Sequence, residues 1–193
     1  MENKSKISLK PGTVLGPLPP VLVSLGSMEK PNIITIAWTG IINSKPPMTY
    51  ISVRPERYSH KLLKEQGRFV INLPAASLAK RVDICGMKTG SKGDKFKICG
   101  FTKIPATVLE DTPVIEECPV NLECKVTEVK KLGSHDMFLA EIVGLTVDSD
   151  LVDENGKVNL SKAGLLGYLH GEYHTVGRNV GNFGFSVRKK NKA

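Results

Sequence analysis

Between residues 120 and 127 the chain alternates without a break: Val120, Leu122, Cys124 and Val126 are apolar, and Asn121, Glu123, Lys125 and Thr127 between them are polar. A period of two sends successive side chains to opposite faces, so the stretch predicts a half-buried antiparallel strand rather than an amphipathic helix. A second long strand, residues 137–147, is expected to return after Gly133, Ser134, His135 and Asp136. Residues 21–25, 33–38, 48–53 and 69–73 are further strand candidates, rich in β-branched or aromatic residues. The turn-like Asn43, Ser44, Lys45, Pro46 and Pro47 suggest that 33–38 and 48–53 are neighbours in a sheet.

Helical signals are few and short. Residues 58–66 open at Ser59, a good N-cap type, and stop before Gly67. Residues 76–85 place Leu78, Ala79, Val82 and Cys85 three and four apart ahead of Gly86, and a polar loop, 88–95, follows. Many strands with two or three short helices favour a mainly β architecture, a β-barrel with short helices, over a doubly wound sheet.

The 193 residues are read as one domain, 1–193, with no composition break after the first twenty residues. Pro11, Pro17, Pro19 and Pro20 make residues 1–20 an extended arm, and 149–193 form a C-terminal extension. No apolar run reaches the roughly 20 residues that span a bilayer, and the Lys-rich start lacks an apolar h-region, so no membrane association and a cytoplasmic location are expected. Cys85, Cys99, Cys118 and Cys124 are irregularly spaced without C-x-x-C, which predicts free thiols. The net charge of +8 comes partly from the tail Arg188, Lys189, Lys190 and Lys192. It suits an anionic partner such as a phosphate-bearing cofactor, whereas the motifs of nucleic-acid binding are missing and no nucleic-acid partner is expected.

Two motifs fail on inspection. Gly177, Gly181 and Gly184 are spaced G-x-x-x-G-x-x-G with no strand before them, which rejects a dinucleotide fingerprint. His170 and His174 stand four apart, but Glu172 is out of place for H-E-x-x-H and Gly171 weakens a helix, so no metal site is expected. No G-x-S-x-G elbow is present either, which gives hydrolase chemistry little support.

Anion chemistry has better candidates. At Ser52, Val53, Arg54 and then Tyr58, Ser59, His60, a strand ends in an arginine and a helix begins, so a phosphate could lie between a guanidinium fork and a helix N-terminus. A capped helix with a solvated arginine explains the same residues equally well. The loop Ser91, Lys92, Gly93, Asp94, Lys95 can bring two ammonium groups to an anion, or be a plain surface loop. Ala37, Trp38, Thr39 and Gly40 put the single tryptophan beside a hydroxyl and a glycine, where a planar ring system could lie, although a core tryptophan is the commoner arrangement.

In this order, together with Val70 to Pro74, Asp83 to Gly86, Asp94 to Phe96 and Gly133 to His135, these segments resemble the flavin reductase-like, FMN-binding split-barrel family and its flavoredoxin branch. The resemblance implies a homodimer of six-stranded Greek-key barrels with one FMN per subunit near the dimer interface. It implies phosphate and ribityl contacts from Thr39, Arg54, Ser59 and His60, assisted by Lys92 and Lys95. Ala37, Trp38, Ser52, Asn72, Leu73 and Cys85 would line the isoalloxazine and ribityl pocket, and Tyr168, His170, Tyr173 or His174 could cap it. Gly133, Ser134 and His135 stand where the flavin reductases carry Gly-Asp-His. This makes His135 the candidate catalytic residue, while the serine puts direct use of NADH or NADPH in question. Three functions stay open: an FMN-bound electron carrier or reductase served by a donor or acceptor protein, an NAD(P)H:FMN oxidoreductase that releases reduced flavin, and a flavin-binding protein without turnover.

Overall fold

The structure is a computed structural model that describes residues 5–187; the basic tail beyond them lies outside the described residues. In chain order the elements are β1 (Val21–Gly26), β2 (Pro31–Ile36), β3 (Thr39–Ser44), β4 (Pro47–Val53), α1 (Tyr58–Gln66), β5 (Arg68–Leu73), α2 (Ala79–Met87), α3 (Lys95–Cys99), β6 (Lys103–Pro105), β7 (Pro113–Ile115), β8 (Val120–Lys131), β9 (Asp136–Val147), β10 (Leu166–Leu169) and β11 (Glu172–Thr175). Seven strands form one antiparallel sheet in the order β2-β1-β5-β8-β9-β4-β3, with β6–β7 and β10–β11 as separate pairs. The mainly β barrel with short helices is therefore present, with seven strands in its sheet where six were expected.

Strand β1 explains why the sheet is built around it. Val21, Val23 and Leu25 join Ile51, Leu63, Phe69 and Phe138 in one core, while Leu22 packs on the other face with Ile33, Val82, Phe96 and Ile115. Burial on both faces requires apolar residues at both phases, which is why 21–25 reads as a nearly continuous apolar run. Helix α1 closes the first core through Leu63, and α2 and α3 cover the second.

Several expectations are corrected. Strands β2 and β4 are not neighbours: β3 forms between them in sequence and pairs with β4 at the sheet's end. Its residues after Thr39 are half or fully exposed, so β3 lacks the alternation that would announce it. Helix α1 spans the expected residues 58–66, but Arg57 rather than Ser59 holds the cap position, with no side-chain cap, and Ser59 lies inside the first turn. The second helix splits into a 3₁₀ turn, Ala76–Leu78, and α2, which runs through Gly86 to Met87. A Cβ at Gly86 would meet Thr35 Cβ at 3.3 Å, so this glycine lets α2 approach β2 closely instead of ending the helix. The loop 88–95 contains a 3₁₀ turn and leads into α3, which is capped by Asp94 accepting from Phe96 N at 2.9 Å.

Strand β8 is less regular than its sequence. Asn121 and Glu123, on its polar phase, are buried along with Val120 and Cys124, and the register shifts between Glu123 and Cys124. The segment 105–109 lies over that face: Glu123 accepts from Thr107 N, Thr107 Oγ1, Val108 N and Leu109 N at 2.6–2.8 Å. Beyond β9 the chain returns to the barrel, where Leu18 and Tyr168 exchange backbone hydrogen bonds at 2.9 Å and tie arm to extension. His170 and Gly171 both take positive φ as the turn of the β10–β11 hairpin. All four cysteines are free and buried. No helix among the described residues is long and apolar enough to cross a membrane.

Candidate functional site

Strand β2 ends the sheet and pairs only with β1, so its other side is open. Along that side runs a cleft with two lobes. An aromatic lobe of about 320 Å³ is bounded by residues 34–38, by Ser52 and Arg54 at the end of β4, by Asp83 and Gly86 of α2, and by His135, Tyr168 and Tyr173. A cationic lobe of about 490 Å³ is bounded by Arg54, Arg57, Tyr58 and Ser59 at the start of α1, by Lys88, Thr89 and Gly90, and by Lys95. Ile34, Arg54, Arg57 and Gly86 border both lobes, which makes the cleft continuous. Either lobe falls within the size range of small-molecule sites.

The cationic lobe is built by three elements that converge at one end of β2. After β4 the chain turns with Arg57 N donating to Arg54 O at 3.0 Å, and α1 starts there. In the first turn His60 N donates back to Arg57 O at 2.9 Å, while the N–H groups of Tyr58 and Ser59 have no carbonyl within the helix, so α1 presents two donors and the positive end of its dipole. Lys95 is only 2% exposed, and its Nζ donates to Ile33 O and Cys85 O, both at 2.7 Å. Burial pulls its pKa below the usual lysine range, and Arg57 adds to the shift. Two of its three N–H bonds go to carbonyls, which leaves the third to the lobe. Four cations face a single carboxylate here, Glu56, which sits 3.6 Å from Arg54 in an exposed and therefore weak pair. In its donor set and its charge the lobe suits an anion.

In the aromatic lobe Trp38 is held by its backbone: Ser52 N donates to Trp38 O at 2.9 Å. Trp38 and His135 lie parallel, with centroids 6.4 Å apart and planes within 4°. Ser134 Oγ bonds His135 Nδ1 at 2.9 Å, leaving Nε2 as the ring's other polar atom. Burial and then the Arg54 charge lower the His135 pKa, which favours the neutral imidazole. Tyr173, whose hydroxyl reaches Asp83 at 3.4 Å, is pushed up to about 12 by burial and by that carboxylate.

Of the thirteen residues expected at a site, seven border this cleft: Ala37, Trp38, Ser52, Arg54, Ser59, Lys95 and His135. Six do not. Thr39 is buried and donates from Oγ1 to Tyr50 O at 2.6 Å. His60 is committed to Asp136, Nε2 to Oδ2 at 2.8 Å, and sits edge-on to Phe138. Asn72 joins a hydrogen-bond network inside the sheet, Leu73 packs in the core, and Lys92 is exposed on its 3₁₀ turn. Cys85 places its thiol in the core, 3.6 Å from Cys99, and contributes to the site through the carbonyl that holds Lys95. Of the proposed caps, Tyr168 and Tyr173 reach the aromatic lobe, while His174 pairs with Glu172 at 3.2 Å on the surface and His170 borders a smaller recess beside Trp38.

Sequence reasoning missed Arg57, Lys88 and Asp83 as lining residues. Arg57 stood inside the segment singled out for anion binding, and its place at the cap of α1 was the available signal.

A family model described as a flavin reductase like domain matches residues 16–177. The chain is similar in structure to the flavoredoxin of Desulfovibrio vulgaris (Miyazaki F), at 30% identity and a TM-score of 0.86 over 95% of this chain and 99% of the other. A flavoredoxin from Methanosarcina acetivorans superposes equally well, at 27% identity over 95% and 97% of the two chains with a TM-score of 0.86. An FMN-binding protein from Thermus thermophilus matches at 25% identity and a TM-score of 0.74 over 91% and 96% of the chains.

Proposed function

Because the chain belongs to the flavin reductase-like family, we propose that it is an FMN-bound electron carrier or reductase of the flavoredoxin type. The observation that supports this most is the continuity of the cleft, with four cations and a helix N-terminus at one end and parallel aromatic rings at the other. An elongated ligand with an anionic terminus and a flat ring system matches both ends at once. The Thermus thermophilus relative, an FMN-binding protein, favours the same ligand.

In this reading Arg54 and Arg57 grip the phosphate with guanidinium forks, and Lys95 adds a charge already positioned by two carbonyls. Trp38 and the open side of β2 orient the ring system. A bound flavin supplies the redox chemistry, and the protein supplies position, electrostatics and access. His135, neutral and anchored through Nδ1, offers Nε2 toward the aromatic lobe, where it can hold a proton without adding charge. Association with a second copy belongs to the same proposal and is supported by Ile41 and Ile42, exposed on the end strand β3 beside Trp38. Sedimentation velocity checks it, a dimer being expected.

The test is an absorption spectrum of the purified protein, followed by anaerobic NADH and then NADPH. A flavin spectrum that bleaches with either nucleotide supports a pyridine-nucleotide reductase. One that bleaches only with dithionite or light supports a carrier fed by another protein. A colourless protein that fails to bind added FMN refutes the reading. Arg54→Ala is expected to weaken FMN binding about tenfold, as for one lost charge-assisted contact, while riboflavin affinity stays nearly unchanged.

A further inference from the structure

Behind the cationic lobe stands a buried polar residue whose hydrogen bonding is incomplete. Asn32, in β2 and 2% exposed, donates from Nδ2 to Ser59 Oγ at 2.8 Å. Its Oδ1 is buried and has no hydrogen-bond partner. That oxygen lies against Gly90, a residue of the lobe's wall: a Cβ at Gly90 would overlap Asn32 Oδ1 and crowd Tyr58. The arrangement is costly, because a buried acceptor without a donor loses its hydration for nothing. Turning the amide over would let Oδ1 accept the Ser59 proton, yet the amide stands the other way round.

The orientation has a consequence for Ser59, which is 3% exposed and borders the lobe. A hydroxyl carries one proton and two acceptor sites. With Asn32 occupying an acceptor site, the proton remains to be donated, and among the described residues Ser59 Oγ gives it to no protein acceptor. In the opposite orientation the proton would be spent on Asn32, and the lobe would face lone pairs, which repel an anion.

We propose that Asn32 is a positioning residue for the anion end of the cleft: by donating to Ser59 Oγ it keeps the Ser59 proton for an anionic oxygen of the ligand. The inference rests on the proposed FMN reading and assigns that ligand's phosphate a donor relay, amide N–H to hydroxyl O–H to phosphate oxygen. Each bond in such a chain polarises the next in a low-dielectric setting. Asn32 itself touches no ligand.

The experiment is a titration with FMN and with riboflavin, followed by flavin fluorescence, of the unmutated protein, Asn32→Ala, Ser59→Ala and the double variant. Asn32→Ala is expected to weaken FMN about tenfold when Ser59 is present, less than about twofold in the Ser59→Ala background, and to leave riboflavin affinity unchanged. Asn32→Asp keeps the shape but only accepts, so it takes the Ser59 proton; it carries the same test, with an FMN loss of at least about tenfold, where Asn32→Ala does not fold. Equal FMN losses in both backgrounds, or equal losses for FMN and riboflavin, would show a merely structural Asn32 and overturn the assignment while the proposed function stands. Failure of the unmutated protein to bind FMN would overturn both.

Discussion

Asn72 and Glu123, buried on the β5–β8 side of the barrel, have their partners inside the fold, whereas Asn32 Oδ1 at the cleft has none. Asn72 donates to Leu22 O and Ser24 Oγ and accepts from Ile115 N and Asn121 Nδ2, all at 2.8–3.0 Å, which links β1, β5, β7 and β8. Glu123, 1% exposed, spends both oxygens on four donors of residues 107–109. At the cleft, Lys95 keeps a proton in hand, Ser59 keeps its hydroxyl proton, and the first turn of α1 keeps the N–H groups of Tyr58 and Ser59, those of Arg57 and His60 being bonded to Arg54 O and Arg57 O. A closed network has its return inside the fold and stabilises it. An open one has its return outside, in a ligand.

The sharpest way to break this contrast is to open the closed side. Glu123→Ala leaves the N–H groups of Thr107, Val108 and Leu109 without their acceptor and is expected to cost about 3 kcal/mol in urea unfolding, with FMN affinity retained. Burial pushes the Glu123 carboxyl up, but the bonds from Thr107, Leu109 and Val108 outweigh it and hold the pKa below the usual range. Its contribution is therefore present above the ordinary glutamate pKa and lost as pH falls through the lowered value. Asn72→Ala is expected to cost about 2 kcal/mol for the same reason. A flavin affinity that fell with Asn72→Ala, at unchanged stability, would instead return Asn72 to the ligand pocket that the family resemblance implied.

Opening the cleft further has the reverse signature. Arg57→Ala removes a guanidinium that borders both lobes and has no salt bridge among the described residues. FMN is expected to bind about tenfold more weakly, about 1.4 kcal/mol, while the urea midpoint stays put. A comparable loss of stability would show that Arg57 belongs with the structural network after all.

How legible these regions were in the sequence follows from the distances over which they are built. Strands β1, β4, β5, β8 and β9 and helix α1 were readable because their signals are local: apolar runs, a period of two, and Gly67 after a helix, where it takes a left-handed φ of 61°. Strand β3 was not, since an exposed edge strand gains its partner from β4 without an apolar face of its own. Arg54, Ser59, Trp38 and His135 could be placed at a site because each sits at a strand end, helix start or turn. Asn72, His60 and Cys85 could not be separated from them. Their partners, Ser24 and Asn121, Asp136, and Cys99, lie 14 to 76 residues away in sequence, so only the folded chain shows those side chains to be satisfied.

The smallest effect tests whether the two lobes communicate. His135 faces Arg54 and Glu56; burial and the arginine lower its pKa and the glutamate opposes them. Because the folded state binds this proton less readily than the unfolded chain, neutral His135 contributes stability that is present above the ordinary imidazole pKa. That contribution is lost as pH falls through the lowered folded value. Arg54→Ala removes the nearest cation, so the His135 titration, followed by proton NMR of the ring, is expected to move upward toward the ordinary value. The stability change stays within a few tenths of a kcal/mol, since the ring is only partly buried. An unmoved titration would mean that burial alone sets the imidazole's charge state, and that an anion arriving at the cationic lobe leaves the proton on His135 undisturbed.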